Sequence, residues 1–162
     1  MDKNSFDKLT LSLSDSLYRT AKSILRNEDE AIDAVQEVLL KLWEIRTDLA
    51  SVDNQKAFVF KALRNKCLDI IKLRKQTIEV DENKLDEDLN PYEQLAMKDT
   101  VELVYRLIEN LPELQRTVIR MRDVEELEID EIAFVMGISN NAVSTNLSRA
   151  RQKIRTQLFK LT

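Results

Sequence analysis

The chain has 162 residues, a formal net charge of −4, one Gly, two Pro, one Cys and no His. Tight turns between strands need Gly or Asn-Gly pairs at positive φ, so this composition argues against a sheet protein, whereas its abundant Leu, Glu, Lys, Arg and Ala favour helices. A single Cys excludes an intramolecular disulfide and a Cys-based zinc site, and the lack of His removes the usual acid–base, triad and metal chemistries. We therefore predict an all-α fold that uses no cofactor and no metal.

No charged-then-apolar leader opens the chain, and no run of 18 apolar residues occurs in it. Secretory leaders need a basic start followed by an apolar core, and membrane spans need a long apolar run. Hydrophobic residues make up 43% of the chain, which is enough to build a core. The sequence therefore predicts a folded, soluble, cytoplasmic protein without direct membrane contact.

Apolar residues recur at helical spacing in three stretches of the N-terminal half, roughly 5–26, 28–46 and 54–75. The acidic segment that follows, 76–90, lacks this spacing and ends at Pro91. Such a segment is typical of a linker between two folded domains.

Helical spacing resumes near Tyr92 or Asp99 and runs to Asn110. Pro112 then breaks the pattern, and it suits the first turn of the next helix because it has no N–H to satisfy there. We expect that helix to run to about residue 122, followed by helices at roughly 129–136 and 140–158. The predicted domains are residues 1–76 and 99–162, joined by an acidic linker at 77–98.

Charge is segregated along the chain. Residues 61–75 carry six basic groups and one acid, and residues 140–162 carry five basic groups and no acid. Residues 79–93 carry seven acids and one Lys. Because an acidic stretch separates two basic blocks, the negative net charge does not exclude binding to nucleic acid.

The C-terminal part has the spacing of a helix-turn-helix. Ala133 is the small residue at which two steeply crossing helices can touch, and Gly137 can take the left-handed turn between them. Ser139 can cap the second helix. The apolar residues predicted to form the core around this motif are Ile132, Met136, Ile138, Val143 and Leu147. This pattern indicates a DNA-binding unit.

On the second helix of this motif, the polar residues occupy one face and the apolar residues the opposite face. The short or flexible polar groups, suited to base edges in a major groove, are Asn141, Ser144, Thr145, Ser148 and Gln152. The basic groups that can reach phosphates are Arg149, Arg151, Lys153 and Arg155. The alternative is the ordinary solvated face of a surface helix.

The segment 31–44 places one apolar residue on the wrong side of a helix. Its predicted core face is formed by Ala31, Ile32, Val35, Val38, Leu39, Leu42 and Trp43. Leu40 falls instead among Asp33, Gln36 and Glu37 on the polar face. It is either the centre of a protein-docking patch with a polar rim or a Leu exposed by chance.

The third helix combines a buried set with many basic residues. The predicted buried residues are Phe58, Ala62, Leu63, Cys67, Ile70 and Ile71. The predicted surface residues are Lys61, Arg64, Lys66, Lys72, Arg74 and Lys75, with Asn65 among them. Basic groups and an amide on one helix suit a nucleic-acid strand. The alternative is a solvated helix whose basic end complements its own dipole.

The two halves together resemble a known family. The segments DAVQEVLLKLW and AFVFKALRNKCLDIIKLRK look like the second conserved region of the extracytoplasmic-function (ECF) sigma factors, in a Bacteroidetes-like form. The segment LPELQRTVIRMRDVEELEIDEIAFVMGISNNAVSTNLSRARQKIR looks like their fourth region. The resemblance implies two small helical domains on one chain. It also implies a non-enzymatic subunit that directs RNA polymerase to promoters and assists DNA opening.

The resemblance also implies which residues bind each partner. Those that match the contact with the clamp helices of the polymerase are Asp33, Gln36 and Glu37, and they favour docking for Leu40. Those expected to hold the minus-ten element are Ser51, Asn54, Lys61, Arg64, Asn65, Lys72 and Arg74. Those expected to face the minus-thirty-five element are Asn141, Ser144, Thr145, Ser148, Arg149 and Arg151. Further expected partners are the polymerase flap and an anti-sigma factor.

Some residues depart from the family's pattern. Ser144 and Asn146 are uncharged where the family often has Arg or Lys, so the promoter bases that they contact are not predicted. Glu126 replaces a frequent Gly, and Glu128 replaces a frequent Ser cap. Trp43 is the only Trp and falls on a core face, so the paired melting tryptophans of primary sigma factors are absent.

Three other interpretations compete with a sigma factor. The first is a helix-turn-helix transcriptional regulator that binds promoters without being a polymerase subunit. The second is a helical adaptor with no role on DNA, which leaves the basic clusters unexplained. The third is an enzyme, which the lack of His, of a Gly-rich loop and of a metal-ligand cluster argues against.

Overall fold

The computed structural model of the chain describes residues 1–77 and 99–161. In these ranges all regular elements are helices, which confirms the predicted all-α class. From residue 78 on, the predicted acidic linker lies outside the described residues, and so does a helix start at Tyr92. None of the described helices is long and apolar enough to cross a bilayer.

The helices form two compact units. The first unit contains α1 (Lys3–Leu25), α2 (Glu28–Glu44), the short α3 (Arg46–Ala50) and α4 (Gln55–Thr77). Helix α1 packs against both α2 and α4, and α2 also packs against α4. Three of these helices match the predicted stretches, whereas α3 lies where no helix was predicted.

The second unit begins with α5 (Thr100–Glu109) and α6 (Glu113–Ile119), and α6 continues into a π-helical turn (Arg120–Val124). The helix-turn-helix follows as α7 (Ile129–Met136) and α8 (Asn140–Leu161). Helices α5 and α6 both pack against α8. Pro112 stands one residue before α6 rather than inside its first turn.

Short polar side chains cap the helix starts in both units. Each accepts a hydrogen bond of 2.8–3.0 Å from a backbone N–H of the first helical turn, where four such groups have no partner within the helix. The capping residues are Asp2, Asn27, Asn54, Asp99 and Ser139. These caps define where the helices begin and therefore which side chains share a face.

The core of the first unit is apolar and contains the one thiol of the chain. The fully buried residues with the largest side chains in this unit are Leu17, Leu25, Leu49, Val59, Phe60 and Leu63. Cys67 is also fully buried, and burial raises the pKa of its thiol to about 12. The thiol therefore stays protonated and inert at neutral pH, as expected of a core Cys.

The buried face of α2 differs from the prediction at one edge. Ile32 was expected in the core but is 44% exposed, and Leu39 and Trp43, at the same edge, are only half-buried. Ala34 is completely buried instead. The buried face is therefore rotated toward Ala34, and α2 packs against both α1 and α4.

The buried face of α4 is also shifted from the prediction. Val59 and Phe60 are completely buried although neither was expected to be, and Leu63 and Cys67 are buried as predicted. The remaining residues of the predicted set are only half-buried, namely Phe58, Ala62, Ile70 and Ile71. Because α4 contacts both α1 and α2, the first half of this helix buries more of its circumference than one amphipathic stripe.

The helix-turn-helix has the predicted local chemistry. Gly137 has φ +67°, and the Ser139 hydroxyl caps α8 by accepting the Ala142 N–H at 3.0 Å. At the other end of the motif, the carboxylate of Glu131 accepts the N–H of Glu128 at 2.8 Å, which caps α7. The predicted core residues are buried, except for the half-buried Ile138.

Glu126 lies at the position where the family often has Gly, and its φ is +62°. This left-handed conformation costs an L-residue about 1–2 kcal/mol, whereas glycine adopts it freely. The departure from the family's pattern therefore introduces a strained residue between the π-helical turn and α7.

We expect opposite effects from exchanges at the two left-handed positions that flank α7. Gly137→Ala should lower the free energy of unfolding by about 1 kcal/mol, since no atom lies within 4 Å of the added Cβ and only backbone strain counts. Glu126→Gly should raise it by up to about 1 kcal/mol, less the entropy that Gly adds to the unfolded chain. Hydrogen exchange of the α7 and α8 amides measures both, and shifts in the same direction would contradict the prediction.

Candidate functional site

The predicted docking residues lie together on the exposed side of α2. Asp33, Gln36 and Glu37 are exposed, and Leu40 is 66% exposed. The structure adds Ile32, which lies one helical turn before Gln36 and two turns before Leu40. These five residues, called the α2 ridge below, combine two exposed aliphatic side chains with an amide and two acids.

The α2 ridge is joined to α4 by an ion pair. The Glu37 carboxylate lies 2.5 Å from the ammonium of Lys66. Both side chains are partly exposed, so the pair contributes little to stability. It holds Glu37 beside α4, and Asp33, one turn earlier on the ridge, is the second exposed acid.

The loop before α4, residues 45–54 and called the α3 loop below, is a compact structure around α3. Leu49 is fully buried beneath it, and the Gln55 amide donates to the Leu49 carbonyl at 3.2 Å. The Ser51 hydroxyl donates to the Asp48 carbonyl at 2.7 Å, and the Asn54 side chain caps α4. Both loop residues predicted to contact the minus-ten element therefore also serve to build the loop.

A cluster of aromatic and basic groups lies at the start of this loop. The Arg46 guanidinium lies 4.1 Å from the centre of the Trp43 ring and donates to the Trp43 carbonyl at 2.9 Å. The Trp43 ring packs against Phe6, with ring centres 5.1 Å apart and an angle of 64° between the planes. The only Trp of the chain therefore anchors α3 to α1 and α2.

Four of the predicted minus-ten residues share one side of α4. At 100° per residue, Lys61, Arg64, Asn65 and Lys72 fall within an arc of about 100°, called the α4 arc below. Asn65 and Lys72 are exposed, and Lys61 and Arg64 are partly so. The arc places three cations and one amide along the helix.

Arg74 does not belong to this arc. It projects from another side of α4, where it pairs with Glu30 of α2 and donates to the Leu25 carbonyl at 3.3 Å. Leu25 is the last residue of α1, so Arg74 joins the end of α1 to the start of α2. The sequence pattern counted Arg74 as a surface cation because the contact depends on how the helices pack.

The polar face of α8 is formed as predicted. The side chains of Asn141, Ser144, Thr145, Ser148 and Arg149 are exposed, opposite the buried Val143, Leu147, Ala150 and Ile154. Asn146 is half-buried, and its amide donates to the Ala142 carbonyl at 2.8 Å. The family's frequent basic position at residue 146 is thus occupied by a group that binds its own helix.

Arg151, the sixth residue predicted on this face, is held by an ion pair. Its Nε and Nη2 atoms donate to the two carboxylate oxygens of Asp123 at 3.1 and 2.6 Å. Hydrogen bonding to Asp123 raises the pKa of Arg151. The Arg151 guanidinium is therefore bound to a residue of the π-helical turn.

The second unit has a groove that the sequence did not predict. Its volume is about 540 Å³, and it lies between α5, the π-helical turn and α8. The apolar residues that line it are Val101, Val104, Tyr105, Ile108, Ile119, Val124, Ile154 and Leu158. The sequence of α5 did carry a signal for this groove. The helix has more apolar residues than its buried side can hold, and Val101 and Tyr105 remain exposed.

None of these surfaces has the composition of a metal centre or an active site. In the described parts of the chain, no three His, Cys, Asp or Glu residues are grouped to hold a metal ion. The surfaces instead consist of one ridge, one basic arc, one polar face and one apolar groove. Such features bind macromolecules.

The chain matches two parts of one protein family. Residues 9–77 match Sigma-70 region 2, and residues 102–154 match Sigma-70, region 4. The RNA polymerase sigma factor SigV of Bacillus subtilis is 32% identical over 143 residues, which cover 88% of this chain and 84% of that relative. The ECF RNA polymerase sigma factor SigW of the same species is 26% identical over an alignment of 172 positions, which covers 97% of this chain and 90% of that relative.

Two solved structures have the same fold. The sigma factor RpoE from Bartonella quintana, in complex with the anti-sigma factor NepR, aligns with a TM-score of 0.75 and 22% identity, over 95% of this chain and 96% of that one. CnrH, in complex with the cytosolic domain of CnrY, aligns with a TM-score of 0.68 and 21% identity, over 98% and 90%.

Two helical units that match regions 2 and 4 define a promoter-specificity subunit of RNA polymerase. The chain belongs to the ECF sigma factors of the sigma-70 family, which are non-catalytic subunits for transcription initiation. This confirms the family and the function that the sequence predicted, and it is at odds with a regulator independent of polymerase, an adaptor or an enzyme. The Bacteroidetes-like form stays a prediction.

Variants of Arg74 and Lys72 should distinguish a structural cation of α4 from a DNA-binding one. Arg74→Ala should lower the unfolding free energy of the first unit by about 1 kcal/mol, because it removes a partly exposed ion pair and a carbonyl contact. Lys72→Ala should change it by less than about 0.5 kcal/mol. Urea unfolding followed by Trp43 fluorescence measures both.

The same two variants should rank in the opposite order for their effect on DNA binding. Lys72→Ala should lower the salt slope of single-stranded DNA binding by the holoenzyme by about 0.7, the contribution of one phosphate contact. Arg74→Ala should leave this slope unchanged. If Arg74→Ala lowers the salt slope and leaves the free energy of unfolding unaltered, Arg74 contacts DNA.

Proposed function

We propose that the α2 ridge binds the clamp helices of RNA polymerase, that the α4 arc and the α3 loop hold the minus-ten strand, and that α8 contacts the minus-thirty-five element. The observation that carries this proposal is Leu40. Its side chain is 66% exposed within a polar rim on a helix whose other face is well packed. An exposed aliphatic group in that setting is typical of the centre of a protein interface.

The chemistry of the ridge supports a basic helical partner. Covering Ile32 and Leu40 removes apolar surface from water, which favours association. Asp33 and Glu37 flank them and complement basic groups, which improves specificity and the rate of encounter. The amide of Gln36 lies between the two aliphatic side chains and can bond to a polar group of the partner.

The α4 arc has the composition needed to hold an unpaired strand. Its cations can follow the phosphate backbone, and Asn65 offers an amide donor and an acceptor to an unstacked base. Flipping a base out of a duplex costs a few kcal/mol, which contacts between the base and the adjacent α3 loop offset. Stabilising the open strand in this way assists DNA opening without any bond being made or broken.

The α8 face suits duplex DNA in the major groove. Ser144, Thr145 and Ser148 can donate to or accept from base edges, and Asn141 lies at the start of the helix. Arg149 can reach a phosphate or a guanine. The short side chains allow close approach of the helix to the bases.

The groove in the second unit supports docking of this unit on the polymerase flap. An exposed apolar groove between three helical elements suits the insertion of an amphipathic helix. Each DNA-binding surface is small, and linking the two through the polymerase raises their effective concentration. An anti-sigma factor is a further proposed partner, in keeping with the complexes in which RpoE and CnrH were solved.

The proposed organisation is region 2 at residues 1–76, an acidic linker at 77–98 and region 4 at 99–162. The linker carries all seven acids of segment 79–93, and this charge suits a basic channel of the polymerase. We place the protein in the cytoplasm, where RNA polymerase operates.

Loss of the ridge should weaken binding to the polymerase. The double variant Gln36→Ala with Leu40→Ala should lower affinity for core polymerase at least tenfold, since it removes a buried aliphatic group and an amide from the interface. Fluorescence anisotropy of the labelled chain titrated with core enzyme measures this. Circular dichroism should show unchanged helix content.

Leu11→Ala is the matched control, because Leu11 is a 76% exposed Leu on α1, outside the ridge. It should leave the affinity within about twofold, as expected of an isolated surface exchange. If both variants lose the same affinity for core polymerase, or if neither loses any, the ridge is not the docking surface.

The α8 face is tested on promoters defined by the chain itself. Transcription in vitro with core polymerase, followed by mapping of start sites, identifies promoters that the chain directs. Ser144→Ala with Ser148→Ala should weaken holoenzyme binding to such a promoter by about 1–3 kcal/mol for each well-formed hydrogen bond to a base that the exchange removes. Binding to the same DNA with a scrambled minus-thirty-five element should not change.

Thr156→Ala is the control on the same helix, two turns beyond Ser148, where the hydroxyl donates to its own backbone at the Gln152 carbonyl. It should leave promoter choice unaltered. If the double Ser variant also starts transcription at the original sites with the original strength, Ser144 and Ser148 do not contact bases.

A further inference from the structure

We propose that Arg151 positions the recognition helix α8 through Asp123, and that it makes no phosphate contact of its own. The pair sets the angle at which α8 presents its polar face to the minus-thirty-five element. This inference rests on the proposed role of α8 and reassigns one residue of that face.

The ion pair between Arg151 and Asp123 is bidentate, and it is called the fork below. Arg151 donates through Nε and Nη2 to both oxygens of Asp123, at 3.1 and 2.6 Å. A planar guanidinium bound to both oxygens of a carboxylate fixes orientation as well as distance, which a single hydrogen bond does not. The fork therefore restrains rotation of α8 about its own axis.

The fork is attached to the side of α8 that carries the proposed base contacts. Arg151 lies three residues after Ser148 and seven after Ser144, which places the three within an arc of about 60°. The buried stripe of α8 is apolar and holds the helix against α5 and α6. This apolar packing is non-directional and determines which side of α8 is buried, and the directional ion pair then refines the rotation of the helix.

The backbone around Asp123 has two unfavourable features. The π-helical turn is closed by a hydrogen bond from the Glu125 N–H to the Arg120 carbonyl, five residues back, at 2.9 Å. Such turns are rare in proteins, and those that occur are often at functional sites. Glu126 follows with φ +62°. A regular α-helical continuation would turn Asp123 toward another side, so the π-helical turn places its carboxylate.

The charges of the pair also argue against a phosphate contact. The two side chains are 46% and 38% exposed, so the pair is worth little in stability, and its effect is on geometry. Asp123 alone would repel DNA phosphates, whereas the pair is neutral. A phosphate would have to displace a carboxylate that already bonds to two of the guanidinium nitrogens.

Arg151→Lys tests the proposal because it keeps the charge and removes the fork. The readout is the ratio of holoenzyme affinities for a mapped promoter and for the same DNA with a scrambled minus-thirty-five element, measured over a range of salt. This ratio should fall roughly fivefold or more, because misaligned side chains discriminate less between bases. The salt slope should not change, since the number of phosphate contacts is the same.

Asp123→Asn should lower the ratio by the same factor, because the fork needs both partners, and the double variant should be no worse than either single one. Lys160→Arg is the control, a charge-keeping exchange of an exposed basic residue in the last turn of the same helix, outside the proposed DNA contacts. It should retain the full ratio. Urea unfolding should show similar stability for all four variants.

Two results would overturn the inference. One is a wild-type ratio for Arg151→Lys together with a salt slope lowered by about 0.9 in Arg151→Ala, which is the mark of a direct phosphate contact. The other is an equal loss in Lys160→Arg. A chain that directs no initiation with core polymerase would instead refute the proposed function, so the two failures are distinguishable.

Discussion

Burial of Leu17, Phe60 and Leu63 between α1, α2 and α4 determines which side of each helix in the first unit faces water. Each of these helices is amphipathic, so fixing its apolar side also fixes the side left for partners. The α2 ridge and the α4 arc are what remains exposed once the core has formed. The same constraint acts in the second unit, where the buried stripe of α8 leaves its polar face outward.

Partly exposed ion pairs refine this arrangement. Glu30 with Arg74 and Glu37 with Lys66 join α2 to α4, and Asp123 with Arg151 joins the π-helical turn to α8. Such pairs contribute little to the free energy of unfolding. Their directionality is what matters, because surfaces for a polymerase and for DNA must be held at defined angles to the core.

Much of the fold and part of the site could be predicted from local patterns. Helix positions follow from periodicity, and Gly137 and Ser139 follow from turn and cap chemistry. Leu40 was recognisable because a Leu among acids and amides contradicts the stripe of its own helix. The exposure of Ile32, the burial of Val59 and the roles of Arg74 and Arg151 were not recognisable, because each depends on a neighbouring helix.

By itself the sequence determined the all-α class, the order of the helices, the helix-turn-helix and the resemblance to ECF sigma factors, since these depend on interactions within a few residues or on matching motifs. Only the tertiary structure decided that α3 closes the loop around Leu49, that a π-helical turn presents Asp123, and that an apolar groove lies between α5 and α8. The physical reason is that a helix pattern specifies which residues are apolar. The packing of several helices specifies how far each buried face is rotated and which cations are bound by acids.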